Sequence, residues 1–377
     1  MTHILTIGMN WFSEDPGGLN RLYAALHRSL ERRGVAVRGL VVGSSRSQSA
    51  VPDSVRCFAR REHSTIRRLQ ACRRAVRSAL EADPAEVVAA HFSLYALPVL
   101  DLLRQRRFVI HFHGPWAEEA EIEGQSIVSV ATKRTIESLV YRRADRFIVL
   151  SSAFAEILER RHNIPRDRIF AVPGGVDTEQ FCVNGSRRLA RERLHLPVDR
   201  PLIVSVRRLV HRVGLEGLID AMAVVVRKSL PEALLLIAGR GALAPRLAQR
   251  IAARGLQQHV KLLDFVAEED LPWLYRACDL SIVPSVALEG FGLSTLESLA
   301  AGTPVLVTPI GGLPETVSGL DPALVMPGVT MTSMGEAMSA ALRDPGRLPS
   351  PEACTRYARE HFDWPVIARK VLDVYEQ

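Results

Sequence analysis

Residues 280–315 read LSIVPSVALEGFGLSTLESLAAGTPVLVTPIGGLPE and carry the pattern from which the fold is predicted. Residues 280–283 form an apolar run that predicts a strand, and the leucines of residues 293–299 then repeat at helical spacing. A glycine and a proline within residues 302–304 are typical of a helix end, and the apolar residues 305–307 predict the next strand. A helix between two parallel strands points its N-terminus at the carboxyl edge of the sheet, where such folds bind ligands.

The loop before this predicted helix carries a carboxylate and two glycines. Gly290 and Gly292 let backbone N–H groups approach an anion, and the helix dipole favours negative charge there. Glu297 lies about 9 Å along the helix from Phe291, at about 1.5 Å per residue. That is the reach needed to hold a ribose while the helix N-terminus holds its phosphates. The alternative is a capping box in which Ser294 begins the helix and Glu297 closes its first turn. That alternative does not explain Glu289 or the glycines, so the pattern favours a nucleotide-sugar site.

The rest of the chain alternates strand and helix patterns in two series, which begin near residues 4–7 and near residues 202–206. Such alternation predicts βαβ units and parallel sheets, and at 377 residues two domains are expected. The fold class is therefore α/β, with two Rossmann-like domains facing each other across a cleft. We predict two domains and a terminal helix that packs back on the first domain, at residues 1–180, 185–363 and 364–377.

Composition is that of a soluble globular protein, with 47% hydrophobic and 24% charged residues. No apolar run reaches the length of a membrane span, and the first residues enter a strand pattern without a basic signal region. Five scattered cysteines without a CxxC spacing favour neither a disulfide framework nor a zinc site. We expect a cytoplasmic protein.

The formal charge of +7 is concentrated at residues 56–77, where eight arginines face one acid. Ile66, Leu69, Val76 and Leu80 fall on one face of a predicted helix, with arginines around the rest. One interpretation is a solvated basic surface, and the other is peripheral docking to an anionic membrane or to an acidic substrate. Nucleic acid is disfavoured, because no aromatic residue interleaves the arginines after the start of the segment.

Taken together, these motifs resemble those of the retaining glycosyltransferases of family 4, which have the GT-B architecture. The two glutamates Glu289 and Glu297, with seven residues between them, match that family in the context EGFG…E…AGTPV. The turn PGGVD at residues 173–177 and the loop with Gly17 and Gly18 resemble two further motifs of the family, in the same order.

The resemblance implies a role for each residue of the block. Glu297 would accept hydrogen bonds from the ribose hydroxyls of the donor, and Glu289 would lie beside the anomeric carbon, where positive charge develops. The backbone N–H groups of residues 290–293 (Gly290, Phe291, Gly292 and Leu293) would bind sugar hydroxyls and phosphate oxygens. Front-face transfer, in which the leaving phosphate takes the acceptor proton, is favoured over a covalent intermediate on Glu289.

A leaving diphosphate needs nearby positive charge, and the segment VRRLVHRVG at residues 206–214 resembles the family's arginine–lysine segment. Arg208 matches the arginine, whereas Val213 occupies the lysine position. We expect Arg212 to replace the lysine, with Arg207 as a weaker substitute. The plain alternative is surface salt bridging by these arginines.

The strand that ends at His111-Phe-His113 places both histidines on one face. Two histidines can ligate a metal, but no third ligand is evident in the sequence, and the resembled family requires none. The resemblance makes His113 a residue that contacts the donor sugar or the acceptor hydroxyl, and a buried structural histidine is the alternative. Gly17 and Gly18 would approach the diphosphate.

The sequence therefore predicts a metal-independent, cofactor-free hexosyltransferase that uses a UDP- or GDP-linked sugar with retention of configuration. Its acceptor would be a glycan, a lipid-linked sugar or a small molecule, as in bacterial polysaccharide or glycoconjugate synthesis. Two alternatives stay open: a nucleotide-sugar-binding protein without transfer activity, suggested by Val213, and a dinucleotide-dependent oxidoreductase. The latter is disfavoured because no GxGxxG follows the first strand.

Overall fold

The computed structural model describes residues 2–12, 17–43 and 51–377. The chain divides into two compact units: residues up to Gly175 together with Trp364–Gln377, and Val176–Asp363. The division falls a few residues before residue 180, the predicted end of the first domain.

The first unit is built on a parallel seven-stranded sheet in the order β3-β2-β1-β4-β5-β6-β7. Its strands are β1 (Ile4–Asn10), β2 (Val37–Gly43), β3 (Val55–Arg60), β4 (Val87–Ala90), β5 (Arg107–Phe112), β6 (Arg146–Val149) and β7 (Ile169–Ala171). Its helices begin with α1 (Gly18–Arg32), α2 (Thr65–Ala82), α3 (Ser93–Ala96), α4 (Trp116–Ile122), α5 (Ile127–Tyr141) and α6 (Ser152–His162). The strand order reverses between β1 and β4, where Ile4 pairs with Val37 on one side and Val87 on the other.

The second unit has a parallel five-stranded sheet in the order β10-β9-β8-β11-β12. Its strands are β8 (Leu202–Val206), β9 (Leu234–Ala238), β10 (Val260–Asp264), β11 (Leu280–Val283) and β12 (Val305–Val307). Its helices are α7 (Thr178–Phe181), α8 (Arg187–Arg193), α9 (Leu215–Lys228), α10 (Ala244–Ala253), α11 (Leu271–Ala277), α12 (Leu293–Ala300), α13 (Leu313–Val317), α14 (Met331–Arg343) and α15 (Pro351–Phe362). Two units with parallel sheets flanked by helices confirm the predicted α/β class with two Rossmann-like domains.

Central strands of both sheets are covered on both faces, which explains their continuous apolar sequences. Every residue of β4, β9 and β11 is buried. Strand β3, which the sequence pattern did not reveal, is an edge strand with Arg56 and Arg60 exposed. Charge at an edge is a common protection against pairing with other chains.

The last helix, α16 (Trp364–Glu376), belongs to the first unit. The Tyr375 hydroxyl lies 2.6 Å from Nε2 of His111, and Arg146 donates to the Val374 carbonyl at 2.6 Å. Arg107 donates to the Tyr375 carbonyl. The two arginine bonds satisfy carbonyls that a helix C-terminus leaves without an intrahelical partner.

Helix α2 carries most of the basic segment, but its buried face differs from the prediction. Cys72, Val76 and Leu80 are buried, whereas Ile66 is 69% exposed. Two arginines have partners close by: Arg68 donates to the Tyr95 hydroxyl at 3.1 Å and Arg73 binds Asp101 in bidentate fashion. Part of the positive charge is therefore engaged within the unit. Among the described residues, no helix is both long enough and apolar enough to cross a membrane.

Candidate functional site

A buried ion pair lies where the strand order of the second unit reverses. Arg207 follows β8, Glu289 lies in the loop after β11, and these two strands are neighbours in the sheet. The Arg207 guanidinium bonds the Glu289 carboxylate directly, and the two side chains are only 10% and 11% exposed. Reversal points at the carboxyl edge of parallel sheets are where such folds bind ligands.

Glu289 is held as a carboxylate by several donors. The Ser285 hydroxyl donates to its Oε2 at 2.8 Å, and Arg207 also donates to Ser285 at 2.9 Å and to the Ser294 hydroxyl at 3.2 Å. Burial alone would raise the pKa of Glu289, but Arg207, Ser285 and Arg212 outweigh burial and lower the pKa below its usual value. Glu289 is therefore ionised at neutral pH.

The backbone around Glu289 adopts conformations that most residues avoid. Leu288 has φ +45 and Gly292, the N-cap of α12, has φ +80. Such positive φ values in a non-glycine residue cluster at functional sites. A Cβ atom at Gly292 would overlap the Leu313 side chain, so this loop needs glycine to pass over α13.

Glu297 lies inside α12 and is 7% exposed, with Oε2 accepting a hydrogen bond from the Tyr275 hydroxyl at 3.0 Å. The capping-box interpretation is wrong, because the helix begins at Leu293 with Gly292 as its N-cap and no side-chain cap. Glu297 is thus beyond the position at which a capping-box glutamate acts. Its fixed orientation comes from Tyr275 of α11.

The residues of the arginine segment at 206–214 lie in different environments. Arg208 is exposed, whereas Val213 is 3% exposed in a 3₁₀ turn at His211–Val213. Arg212 donates to the Leu288 carbonyl at 3.0 Å and adds to the positive field at Glu289. Arg207 was assigned the weakest role by sequence reasoning, yet it is the arginine that contacts both Glu289 and the first turn of α12. Its position directly after the predicted strand at residues 202–206 is the sequence feature that could have identified it.

Three histidines meet at the carboxyl edge of the first sheet. His91 follows β4, His111 is in β5, and His113 follows β5. Nδ1 of His91 lies 3.0 Å from Nε2 of His113, and the His91 and His111 rings stack at 4.0 Å between centroids. No third candidate ligand was evident beside His111 and His113 in the sequence, but the structure brings His91 to them, because β4 and β5 are neighbours in the sheet.

These imidazoles are neutral at pH 7. Burial lowers the pKa of His91 and of His111, and lowers that of His113 to about 4. Candidate ligand atoms of the three lie within 4.8 Å of one another. The lone pair of an imidazole nitrogen lies in its ring plane, so the near-parallel planes of His91 and His111, 13° apart, do not converge on one ion. This geometry favours hydrogen bonding over shared ligation.

Gly17 and Gly18 lie at the start of α1, with Gly17 as the N-cap. A Cβ atom added at Gly17 would meet nothing within 4 Å. Residues 13–16 of the same loop lie outside the described residues. The role of the two glycines near a diphosphate stays a prediction.

Buried Glu137 fixes the chain directly after His113. Its carboxylate accepts the backbone N–H groups of Trp116 and Ala117, at 2.8 and 3.4 Å, at the start of α4. Burial, opposed by the Trp116 N–H and aided by the charge of Glu118, raises the pKa of Glu137 to about 7. The segment that leads from His113 into α4 is therefore anchored by a group that titrates near neutral pH.

The raised pKa of Glu137 predicts a pH-dependent change in stability. The unfolded carboxyl ionises near pH 4.5 and the folded one near 7, so the free energy of unfolding falls as pH rises between these values. The total loss is about 3 kcal/mol. Glu137→Gln should remove it, and its free energy of unfolding relative to wild type should rise by about 2 to 3 kcal/mol between about pH 5 and pH 8.

Urea denaturation at several pH values measures this change. Glu159→Gln, at an exposed position of α6, is the matched control. Because it keeps Glu137, its free energy of unfolding should fall with pH in parallel with that of wild type. Parallel pH curves for wild type and Glu137→Gln would contradict the prediction.

Two family models match the chain. Glycosyl transferases group 1 covers residues 186–361 and Glycosyltransferase Family 4 covers residues 16–180. Mannosylfructose-phosphate synthase of Agrobacterium fabrum is 30% identical over 253 residues, which are 64% of this chain and 54% of that protein. D-inositol 3-phosphate glycosyltransferase of Xylanimonas cellulosilytica is 33% identical over 251 residues, 64% of this chain and 59% of that protein. The matches thus span little more than half of these relatives.

Solved structures with low sequence identity share the whole fold. Sucrose-phosphate synthase from Thermosynechococcus elongatus superposes with a TM-score of 0.80 at 22% identity, covering 100% of this chain and 99% of that one. Anabaena HepE in complex with UDP-glucose gives a TM-score of 0.80 at 18% identity, with both chains fully covered. Fold and site therefore define a two-domain α/β protein of the GT-B class. The chain belongs to glycosyltransferase family 4, group 1.

Proposed function

We propose that this protein is a retaining glycosyltransferase that moves a sugar from a nucleoside diphosphate to an acceptor hydroxyl. The observation that carries the proposal is the buried Arg207–Glu289 pair at the N-terminal end of α12, with Glu297 in the same helix. In this reaction the bond from the anomeric carbon to the phosphate oxygen breaks, and a bond to the acceptor oxygen forms on the same face. The acceptor proton goes to the leaving phosphate. The protein needs neither a metal nor another cofactor for this step.

The donor is assigned to the second unit. Backbone N–H groups at Gly290, Gly292 and Leu293 would bind phosphate and sugar oxygens, because the N-terminus of α12 favours negative charge. Glu297, oriented by Tyr275, would accept the ribose hydroxyls. HepE was solved with UDP and with UDP-glucose, which makes UDP the first nucleotide to test, with GDP second.

Charge on the departing diphosphate requires cations near α12. We assign this role to Arg207 and Arg208, with Arg212 as a further contributor. Arg207 already bonds the Ser294 hydroxyl in the first turn of α12, so a phosphate at this terminus would share that guanidinium with Glu289. An arginine fork can bond a carboxylate and a phosphate together. The arginines would thus supply the positive charge that a lysine at the position of Val213 would otherwise provide.

The acceptor is assigned to the first unit, with His113 as the residue that contacts it. Relatives are named for inositol 3-phosphate transfer and mannosylfructose-phosphate synthesis, which supports a small phosphorylated polyol or sugar as one candidate. Arg67, Arg74 and Arg77 are exposed on α2, which supports a lipid-linked acceptor at an anionic membrane as the other. Each basic residue near such a surface contributes about 1 kcal/mol.

A second candidate function is nucleotide-sugar binding without transfer. The observation that favours it is Val213, which is buried and uncharged where the family has lysine. The two functions share donor binding and differ only in turnover, so binding and turnover have to be measured separately.

Donor binding is tested by thermal shift. UDP or GDP at millimolar concentration should raise the melting temperature, and NAD should not. Glu297→Gln should weaken nucleotide binding at least about 10-fold, because losing one charge-assisted bidentate contact costs about 1.5 to 3 kcal/mol. Calorimetric titration gives the dissociation constants. Glu336→Gln, at an exposed position of α14, is the control and should bind like wild type.

Turnover is measured as UDP or GDP release from a panel of nucleotide sugars, with inositol 3-phosphate and lipid-linked sugars as acceptors. Proton NMR of the product then gives its anomeric configuration. Stabilisation by NAD and not by UDP or GDP would reject the proposal. Nucleotide binding without any release would favour the binding protein.

A further inference from the structure

His91 has no role in the proposed site, and yet it is the most constrained of the three clustered histidines. It is 3% exposed, and its backbone N–H donates to the Ile7 carbonyl at 2.9 Å. One ring face stacks on His111, while the Tyr23 ring packs edge-on at 4.9 Å between centroids. Tyr23 itself is fixed by a 3.0 Å bond to Thr6. A side chain held in this way cannot change rotamer without disturbing β1 and β5.

The packing aims one nitrogen of His91 at His113. Nδ1 of His91 and Nε2 of His113 are 3.0 Å apart, a hydrogen-bonding distance. Both rings are neutral, so one nitrogen must carry the proton and the other must accept it. Each neutral imidazole has one donor and one acceptor, and the bond at Nε2 therefore dictates the state of Nδ1 in His113.

Nδ1 of His113 is buried and makes no hydrogen bond to the residues that the structure describes. Buried polar atoms without partners are rare, and a catalytic or ligand-binding role is one accepted reason for them. When His113 donates to His91, this Nδ1 is an acceptor for a substrate hydroxyl. When His91 donates, it is a donor. A fixed proton position is what substrate recognition at this atom requires.

We propose that His91 is a positioning residue that sets the ring orientation and the tautomer of His113. The inference rests on the proposed function, since it gives His113 a substrate to contact. Tyr375 completes the support, because its hydroxyl lies 2.6 Å from Nε2 of His111 and so holds the ring on which His91 stacks. His91 itself does not touch the substrate.

Two substitutions separate the hydrogen bond from the packing. In His91→Asn the amide group occupies the place of Nδ1, so the bond to His113 is kept while the ring is lost. In His91→Phe the aromatic contacts with His111 and Tyr23 are kept while the bond is lost. The probe is UDP-glucose, or whichever nucleotide sugar wild type turns over, followed as nucleotide release.

We expect His91→Phe to lower kcat about 10- to 100-fold, the size typical of losing a residue that orients a functional histidine. The KM for the nucleotide sugar should stay unchanged, because Glu297 and α12 belong to the other unit. His91→Asn should keep kcat within about 5-fold of wild type, so that the conservative variant rescues the reaction. Equal losses in both variants, or a loss seen only in KM, would overturn the inference.

The tautomer is read independently of activity. Nitrogen-15 NMR of histidine-labelled protein distinguishes protonated from unprotonated ring nitrogens, and His113→Gln assigns the His113 signals among the 11 histidines. Wild type should show one tautomer of His113, and His91→Phe a mixture. A single unchanged tautomer in His91→Phe would overturn the inference. If wild type releases no nucleotide from any donor, the proposed function fails, and the NMR result still decides whether His91 sets the tautomer.

Discussion

Glutamine in place of either Arg207 or Glu289 should lower kcat for nucleotide-sugar turnover at least about 100-fold. Each partner fixes the other in a nearly dry position, and a preorganised charge beside the reacting centre is worth about 10²- to 10³-fold in rate. Either single change also leaves one buried charge without its counter-ion. Such a loss costs about 3 to 5 kcal/mol of folding free energy.

A double-mutant cycle separates these effects. The Arg207→Gln/Glu289→Gln double variant leaves no uncompensated charge, so it should recover about 2 kcal/mol or more relative to the sum of the single variants. Its turnover should stay as low as that of the single variants. Urea denaturation gives the free energies, and nucleotide release gives the rates.

The matched control is the Arg240–Asp264 pair of the same unit, in which both side chains are about two-thirds exposed, at 69% and 67%. Arg240→Gln should leave the free energy of unfolding and turnover almost unchanged, because exposed pairs contribute little. Wild-type turnover in Glu289→Gln would remove Glu289 from the reaction. Additive free energies in the cycle would show that the pair is not coupled.

Alanine at Gly311 should be among the most damaging small substitutions in the second unit. Gly311 has φ +57, and an added Cβ would overlap the carbonyl oxygen of Glu289. That carbonyl also accepts the N–H of Gly312 at 3.0 Å. The strain of a left-handed conformation costs about 1 to 2 kcal/mol, and displacing the carbonyl loses a buried backbone bond besides. We expect a total of at least about 3 kcal/mol and turnover lowered about 100-fold.

Gly255→Ala is the control for backbone strain alone. Gly255 has φ +67, in the same region, but nothing lies within 4 Å of the position of its Cβ. It should lose only about 1 to 2 kcal/mol and keep its turnover. Equal losses at the two glycines would mean that the contact with Glu289 adds nothing, and full turnover in Gly311→Ala would mean that the position of Glu289 is not critical.

Sequence periodicity was sufficient for the architecture. Alternating strands and helices predicted two parallel α/β units because the apolar pattern of each segment depends mainly on its own burial. Edge strand β3 was not predicted, because its arginines interrupt the apolar pattern. The same reasoning placed Ile66 on one face of α2 with Val76 and Leu80; these two are buried together with Cys72, whereas Ile66 is exposed.

The candidate site was predicted in part. Glu289, Glu297 and the glycines before α12 were found because they lie within one short segment, where spacing along the chain equals spacing in space. The sequence also allowed a capping box that begins at Ser294. The start of α12 at Leu293, which only the structure shows, excludes it. The conformation of a loop depends on what packs against it, and the spacing of residues along the chain does not reveal those contacts.

The fold class, the family and the glutamate-bearing helix follow from the amino-acid pattern alone. Tertiary structure alone decided which arginine faces Glu289 and which histidine faces His113. Arg207 and Glu289 come from strands that are neighbours in the sheet but far apart in the chain, and so do His91 and His113. Strand order is set by the packing of whole βα units, and a side chain finds its partner only after that order exists.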